Sequence, residues 1–398
     1  MELGFGEALL LIGALLAVSA ALSGVMKGTV LSISVLSVGL GIALAAAGVV
    51  EVDARDTTVI YLIELALVLT LFSDGMFVER ELLRRHWSPV ARSLVLAMPI
   101  TLGLLALAAK ALFPALTWAE AFLLAAVLTP TDPVVTSSVV TARRVPGVVR
   151  HTLNLESGLN DGLALPFVLF FLVLASPGGD AGSEAANLAG EAAVGAAIGI
   201  LLGVAGGRLH DRLPGGGITP RYEGIYAVGF GLAAFGLADV TFGNGLIAAF
   251  VCGIAMGAAE HRVPDAFVEF AENTSVISQL LTFFVFGALI VGTGYDGSIP
   301  ALAAFVLFAL VLARPVAVLL SFLRTGLPRS QQLFIAWFGP KGVASMLFAL
   351  FVLKSGVGSN EEIFDIAAFV ILSSIAAHGL TDTVGAGWIG RRENAGPG

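Results

Sequence analysis

Thirteen apolar runs fill most of the chain and leave only short connections between them. By residue number they are 5–25, 30–50, 57–77, 91–113, 117–140, 151–175, 187–207, 221–238, 243–260, 275–293, 300–322, 330–353 and 362–385. A helix crossing a bilayer needs about 20 apolar residues. Runs such as 9–18 and 301–312 are apolar on every face. That pattern suits a helix in lipid and not the alternating strands of an outer-membrane barrel. Only 13% of the 398 residues are charged, against roughly 25% in a soluble domain. The chain therefore reads as an all-α polytopic membrane protein. It forms one transmembrane unit over 1–398, with no room for a soluble domain.

Other classes fall away on single features. One cysteine, Cys252, excludes an intramolecular disulfide and a Cys-based metal cluster. A net charge of −8 without a basic tail argues against a nucleic-acid partner. The start, Met-Glu-Leu-Gly, lacks the basic region of a signal peptide, so the first run reads as a retained span.

Cationic residues set the orientation. With the N-terminus outside, the inner connections and tail hold Lys27, Arg80, Arg84, Arg85, Arg92, Arg143, Arg144, Arg150, Arg208, Arg212, Arg221, Arg262, Arg324, Arg329, Arg391 and Arg392. The outer side holds only Arg55, Lys110 and Lys354. Thirteen spans then place the C-terminus in the cytoplasm, in a cell inner (plasma) membrane. With span 7 as a linker, spans 1–6 and 8–13 form two sets of opposite direction. Inverted repeats of this kind, each carrying an interrupted helix, build many secondary transporters.

The interruptions fall at matching places. Span 5 contains Leu128-Thr129-Pro130-Thr131-Asp132-Pro133, and span 12 contains Phe338-Gly339-Pro340-Lys341-Gly342. Each is the fifth span of its set. Proline removes a backbone donor and clashes with the preceding turn. The freed carbonyls are tolerated at membrane depth only beside a cavity or re-satisfying neighbours.

A charge near the bilayer centre costs about 3 kcal/mol or more and marks function by default. Glu2, Glu7, Glu51, Asp53, Glu79, Glu81, Glu191, Glu223, Asp239, Glu260 and Asp365 fall near span ends and read as solvated. Glu64, Asp74, Asp132, Glu156, Asp161, Arg314 and Lys341 fall deeper. Span 6 is densest, with Asn154-Leu155-Glu156-Ser157-Gly158-Leu159-Asn160-Asp161-Gly162. Residues four apart share a helix face, so Glu156 stacks with Asn160 and Ser157 with Asp161. Arg314 cannot shed its proton and needs a carboxylate, which makes Glu156 its expected partner. Asp74, Thr131, Asp132, Ser157 and Asp161 offer oxygen only. That donor set suits a hard cation rather than a transition metal.

On these residues the sequence resembles the monovalent cation/proton antiporters, and specifically the NhaP-type Na+/H+ exchangers. The two strings that carry the likeness are Thr131-Asp132-Pro133 and Glu156-Ser157-Gly158-Leu159-Asn160-Asp161-Gly162. Phe72–Gly75, Arg314-Pro315 and Gly339-Pro340-Lys341-Gly342 support them. The resemblance implies that Asp161 is the essential cation- and proton-binding carboxylate. Asp132, Ser157, the Thr131 carbonyl and Asp74 complete the implied Na+ site, and Glu156 with Arg314 is the implied stabilising pair of the core helices. Asn160 stands where the electrogenic branch of the superfamily has a second aspartate, so the resemblance implies electroneutral exchange, one cation for one proton. It further implies a homodimer in membrane lipid, each protomer with a dimerisation domain and a moving six-helix core. The family commonly has Arg where this chain has Lys341. The charge is kept, and its expected role is to compensate helix-end dipoles, with ion competition as the alternative.

The expected mechanism is competition at one site: a proton or a cation on Asp161, never both, under alternating access. No cofactor and no ATP are called for, and no Walker motif is present. Na+ is the first expectation, with Li+ and K+ open and a K+/H+ exchanger as the alternative. A cation channel is a weaker rival, since no carbonyl-filter string such as Thr-Val-Gly-Tyr-Gly occurs. An intramembrane aspartyl enzyme built on Asp132 and Asp161 is weaker still, so the chain reads as a transporter and not an enzyme.

Overall fold

The computed structural model describes residues 5–26, 33–53, 56–76, 88–132, 142, 144–177, 181–212, 218–259, 265–292 and 294–394. Several residues of the sequence reading lie outside that set. They are Glu2, Lys27, Arg55, Glu79, Arg80, Glu81, Arg84, Arg85, Pro133, Arg143, Glu260 and Arg262, so much of the charge asymmetry between the two sides is not visible in the structure.

Among the described residues the regular structure is entirely helical. The helices are α1 (Phe5–Met26), α2 (Ile33–Ala46), α3 (Thr57–Met76), α4 (Ser88–Leu112), α5 (Trp118–Val127), α6 (Gly147–Ala175) and α7 (Ala181–Arg212). They continue with α8 (Pro220–Asp239), α9 (Gly245–Ala259), α10 (Asp265–Val291), α11 (Ile299–Ser321), α12 (Arg329–Trp337), α13 (Val343–Lys354) and α14 (Asn360–Asn394). Every apolar run of the sequence holds a helix, and run 330–353 holds two. The polytopic reading therefore stands. Six described helices are long and apolar enough to cross a membrane individually: α3, α4, α6, α7, α11 and α14. Half-helices such as α5, α12 and α13 fall short because an interruption cuts their spans.

The fourth span of each set shares a defect that the sequence reading treats as plain helix. A π-helical turn occupies Ser93–Ala97 in α4 and Phe308–Ala313 in α11. One residue separates each from a proline, Pro99 and Pro315. Proline can neither bond to the carbonyl four residues back nor tolerate it closely, and one inserted residue relieves the clash as a π-bulge. Matching bulges in α4 and α11 and interruptions in spans 5 and 12 fit a repeated architecture. Arg92 ties the two bulged helices together, donating through Nη1 to Ser321 O and Leu323 O at 2.9 Å each.

The interior is apolar and aromatic. Leu67, Leu71, Leu105, Leu116, Phe283, Phe286, Phe305, Phe348 and Phe364 are fully buried where α3, α4, α5, α10, α11, α13 and α14 meet. Phe72, Met76, Ala227, Ala248 and Cys252 seal α3 against α8 and α9. Outward faces are also apolar, with Leu10, Tyr61, Val95, Ile200, Leu201 and Leu320 exposed, as in a protein solvated by lipid. Close helix approach relies on small residues, as is usual where lipid supplies no hydrophobic drive. Gly195, Gly199 and Gly203 line one face of α7, and a Cβ at any of them would strike the backbone of Asn244, Ala248 or Cys252.

Candidate functional site

The two interruptions meet. The α5 helix starts from a capping box, with Glu120 N donating to Thr117 Oγ1 and Thr117 N to Glu120 Oε2. It stops at Val127 because Pro130 follows. The α12 helix stops at Trp337, and α13 begins at Val343 beyond Gly339-Pro340-Lys341-Gly342. The Asp132 amide donates to Pro340 O at 2.8 Å, joining the broken segments directly. Val343 N donates to Asp132 Oδ2 at 3.3 Å, so the Asp132 carboxylate caps the N-terminus of α13. Lys341 Nζ donates to Thr129 O at 3.4 Å and Pro130 O at 3.3 Å, and so serves the carbonyl end of α5. Each break supplies the charge that the helix end at the other requires.

Glycine makes this crossing possible. A Cβ at Gly342 would collide with the Asp132 side chain, and one at Gly339 with the Arg314 guanidinium. At Gly342 the clash reaches the Asp132 Cβ, which cannot give way without moving the backbone, whereas at Gly339 the Arg314 side chain would have to leave its place.

The α6 helix carries the acidic string past this crossing. Glu156, Ser157, Asn160 and Asp161 are all buried. Arg314 Nη1 donates to Glu156 Oε1 at 2.6 Å, and Nη2 to Ile335 O at 3.4 Å. That pair is as the sequence predicts. Asn160 Nδ2 donates to Thr131 Oγ1 at 2.7 Å, which ties α6 to the first break. Gly158 brings α3 close, with the Asp74 carbonyl and side chain as its nearest neighbours. Asp74 is half-buried. Asp161 interacts electrostatically with Asp74, Asp132 and Lys341. The structure therefore gathers Asp74, Thr131, Asp132, Glu156, Ser157, Asn160, Asp161, Arg314 and Lys341 in one region. Of the deep residues, Glu64 stands apart, with Asp239 and Lys354 as its charged neighbours.

Glu156 also has an oxygen, Oε2, without a partner among the described residues, but it is ion-paired with Arg314, whereas Asp161 has no such ion pair among the described residues. It is 4% exposed, and its Oδ1 has no hydrogen-bond partner among the described residues. A buried, unpartnered carboxylate oxygen is costly. A proton on it or a cation beside it removes that cost. Among the described residues no three Asp, Glu, His or Cys side chains are gathered as a tight metal cage.

Sequence reasoning missed His378 and Ser374. Both are buried on α14 and touch the second break. His378 Nε2 lies 2.9 Å from Trp337 O, and Lys341 N donates to Ser374 Oγ at 2.9 Å. The available signal was helical spacing: the two are four residues apart on one face of the span. Asp365 and Asp382 are also buried. The sequence reading placed Asp365 at a solvated end and did not single out Asp382.

The model of the family described as sodium/hydrogen exchanger, transmembrane, matches residues 10–384. The chain belongs to the sodium/hydrogen exchanger family. Among curated relatives, it is 28% identical over 361 residues to "K(+)/H(+) antiporter NhaP" of Alkalimonas amylolytica, covering 88% of this chain and 61% of that protein. It is 28% identical over 384 residues to "K(+)/H(+) antiporter NhaP2" of Shewanella sp. (strain ANA-3), covering 94% of this chain and 66% of that one. The chain thus spans less than two thirds of the length of these relatives. Among solved structures, the sodium proton antiporter MjNhaP1 of Methanocaldococcus jannaschii superimposes with a TM-score of 0.81 over 100% of both chains, at 19% identity. A structure of the same protein at pH 8 gives 0.79 over 97% of this chain and 100% of that one. The likeness shows that this chain has the all-helical fold of those structures.

Proposed function

We propose that this exchanger is a secondary antiporter moving a monovalent cation against H+ by alternating access, with Asp161 as the shared site. One observation carries the reading: a buried carboxylate with an oxygen unpartnered among the described residues beside two cross-braced helix breaks. Protonation cancels the charge that attracts the cation, and cation binding displaces the proton. Asp74, Ser157 and the Thr131 carbonyl supply further oxygens. Asp132 joins them while capping α13. Asn160 is neutral and engaged with Thr131, so Asp161 carries one proton or one univalent ion per cycle and exchange is electroneutral.

An oxygen-only site accepts Na+ or K+. The curated relatives are named for K+ and the structural neighbours for sodium, so both cations belong in the assay. The resemblance and the distribution of Lys and Arg support a homodimer in the plasma membrane with the N-terminus outside. They also support a single transmembrane domain over 1–398, with span 7 as the link between the two repeats.

The test is proton movement in proteoliposomes carrying a pH-reporting dye, with Na+, Li+ and K+ added in turn. Wild type is expected to dissipate the gradient and Asp161→Asn to leave it intact. Exchange retained in Asp161→Asn refutes the site. A clamped membrane potential should not change the wild-type rate, and a clear dependence refutes the one-for-one stoichiometry.

A further inference from the structure

The second break has little regular structure of its own to hold it. Pro340 has no amide hydrogen, and glycines flank the pair Pro340–Lys341. Within the segment, Gly339 N makes a tight turn to Trp337 O at 2.9 Å. Yet the Pro340 carbonyl receives the Asp132 amide, and the Lys341 ammonium bonds to the first break. A shift of this segment therefore moves the groups around Asp161.

The α14 helix grips the segment at both ends. Lys341 N donates to Ser374 Oγ at 2.9 Å. Ser374 Oγ lies 3.2 Å from His378 Nδ1, which is also 2.8 Å from the Ser374 carbonyl. His378 Nε2 lies 2.9 Å from Trp337 O. A neutral ring carries one proton and can donate to only one of the two carbonyls, Ser374 O and Trp337 O, that its nitrogens face. The Ser374 hydroxyl accepts from Lys341 N, so its own proton is available to Nδ1. With the ring proton on Nε2 it donates to the second lone pair of Trp337 O, and the approach of Nδ1 to the Ser374 carbonyl then carries no hydrogen bond. One helical turn of α14 thus bridges the backbone from the end of α12 to the residue after Pro340. Trp337 reinforces the grip, donating through Nε1 to Thr381 Oγ1 at 3.0 Å, with its ring 5.2 Å from that of His378. His378 and Ser374 are 2% and 0% exposed, so neither contact is shared with solvent.

We infer that His378 and Ser374 are positioning residues for ion exchange, fixing the Trp337–Lys341 segment and through it the placement of Asp132 and Lys341 around Asp161. The inference rests on the antiport reading above. It predicts a change in apparent cation affinity, because neither side chain touches the carboxylate that carries the ion.

The experiment measures cation-dependent proton movement in proteoliposomes for wild type, His378→Leu, His378→Gln and Ser374→Ala, over a range of Na+ and K+ concentrations. His378→Leu removes the donor to Trp337 O and is expected to raise the cation KM about tenfold. His378→Gln keeps an N–H in reach and is expected to recover most of that loss. Ser374→Ala deletes one oxygen and strands the Lys341 amide, so it should raise KM in the same direction. Ser374→Ala also decides the matter if His378→Leu fails to fold. A KM equal to wild type in folded His378→Leu or Ser374→Ala overturns the inference, as does a fall in maximal rate at constant KM. Wild-type vesicles with no cation-driven proton movement overturn the antiport reading, and the positioning role with it.

Discussion

Replacing Arg314 by Met tests the energetics of the core most directly. Arg314 and Glu156 are joined at 2.6 Å, with side chains only 9% and 5% exposed. The single change strands a buried carboxylate, and breaking a buried pair in this way costs about 3–5 kcal/mol. The pair is also imperfectly satisfied, since Glu156 Oε2 and Arg314 Nε have no hydrogen-bond partner among the described residues. Its own desolvation is therefore incompletely offset. Removing both charges should restore most of what one removal loses, because apolar replacement of a buried pair is often neutral or stabilising. The double variant Arg314→Met/Glu156→Leu is expected within about 1 kcal/mol of wild type, and the coupling within the pair is then at least about 2 kcal/mol. The assay is the thermal midpoint of monodisperse protein in detergent, read by size exclusion after heating, for wild type, both single variants and the double. The reasoning fails if the double variant is as unstable as the worse single. That result would mean Arg314 acts chiefly through its bond to Ile335 O or its packing on Gly339, and not through Glu156.

Two further variants probe the crossing. Gly342→Ala drives a Cβ into the Asp132 side chain and should cut the yield of folded protein sharply, whereas Gly358→Ala meets nothing within 4 Å and should match wild type; equal yields and melting temperatures would refute the close approach. Lys341→Met leaves the Thr129 and Pro130 carbonyls without their donor and should cost about 1–3 kcal/mol of thermal stability, with Lys341→Arg retaining most of it; an unaffected Lys341→Met would remove the ammonium from the brace.

The spans were legible because apolar length is a one-dimensional property, and each run carries its helix at nearly the expected place. The Arg314–Glu156 pair was legible because a buried guanidinium must find a carboxylate and the deep segments offer few. Partners joined by backbone were not legible. Nothing in the string Thr131-Asp132-Pro133 says that the Asp132 amide meets Pro340 O or that its carboxylate caps α13, since those contacts join residues about two hundred positions apart. His378 escaped for a related reason. A lone histidine in an apolar span has no pattern until the end of α12 comes to rest against it. The π turns before Met98-Pro99 and Arg314-Pro315 were within reach of local rules, because the steric cause lies in the prolines themselves, but proline alone does not separate a kink from a bulge.

The crossing also explains how one carboxylate is left available among three. A helix interrupted at membrane depth exposes a partial negative charge at one cut end and a partial positive charge at the other. Lys341 answers the carbonyl end of α5, and Asp132 answers the amide end of α13, each reaching across from the opposite break. That reciprocity makes the breaks one mechanical unit, since displacing either leaves an uncompensated helix end in the other. It also commits one Asp132 oxygen to the brace, while Asp74 lies half-buried at the end of α3. Asp161 sits beside both with an oxygen that has no hydrogen-bond partner among the described residues. In the proposed antiport the two breaks compensate each other's helix ends through Lys341 and Asp132, and a proton and a metal cation would compete for the charge of Asp161.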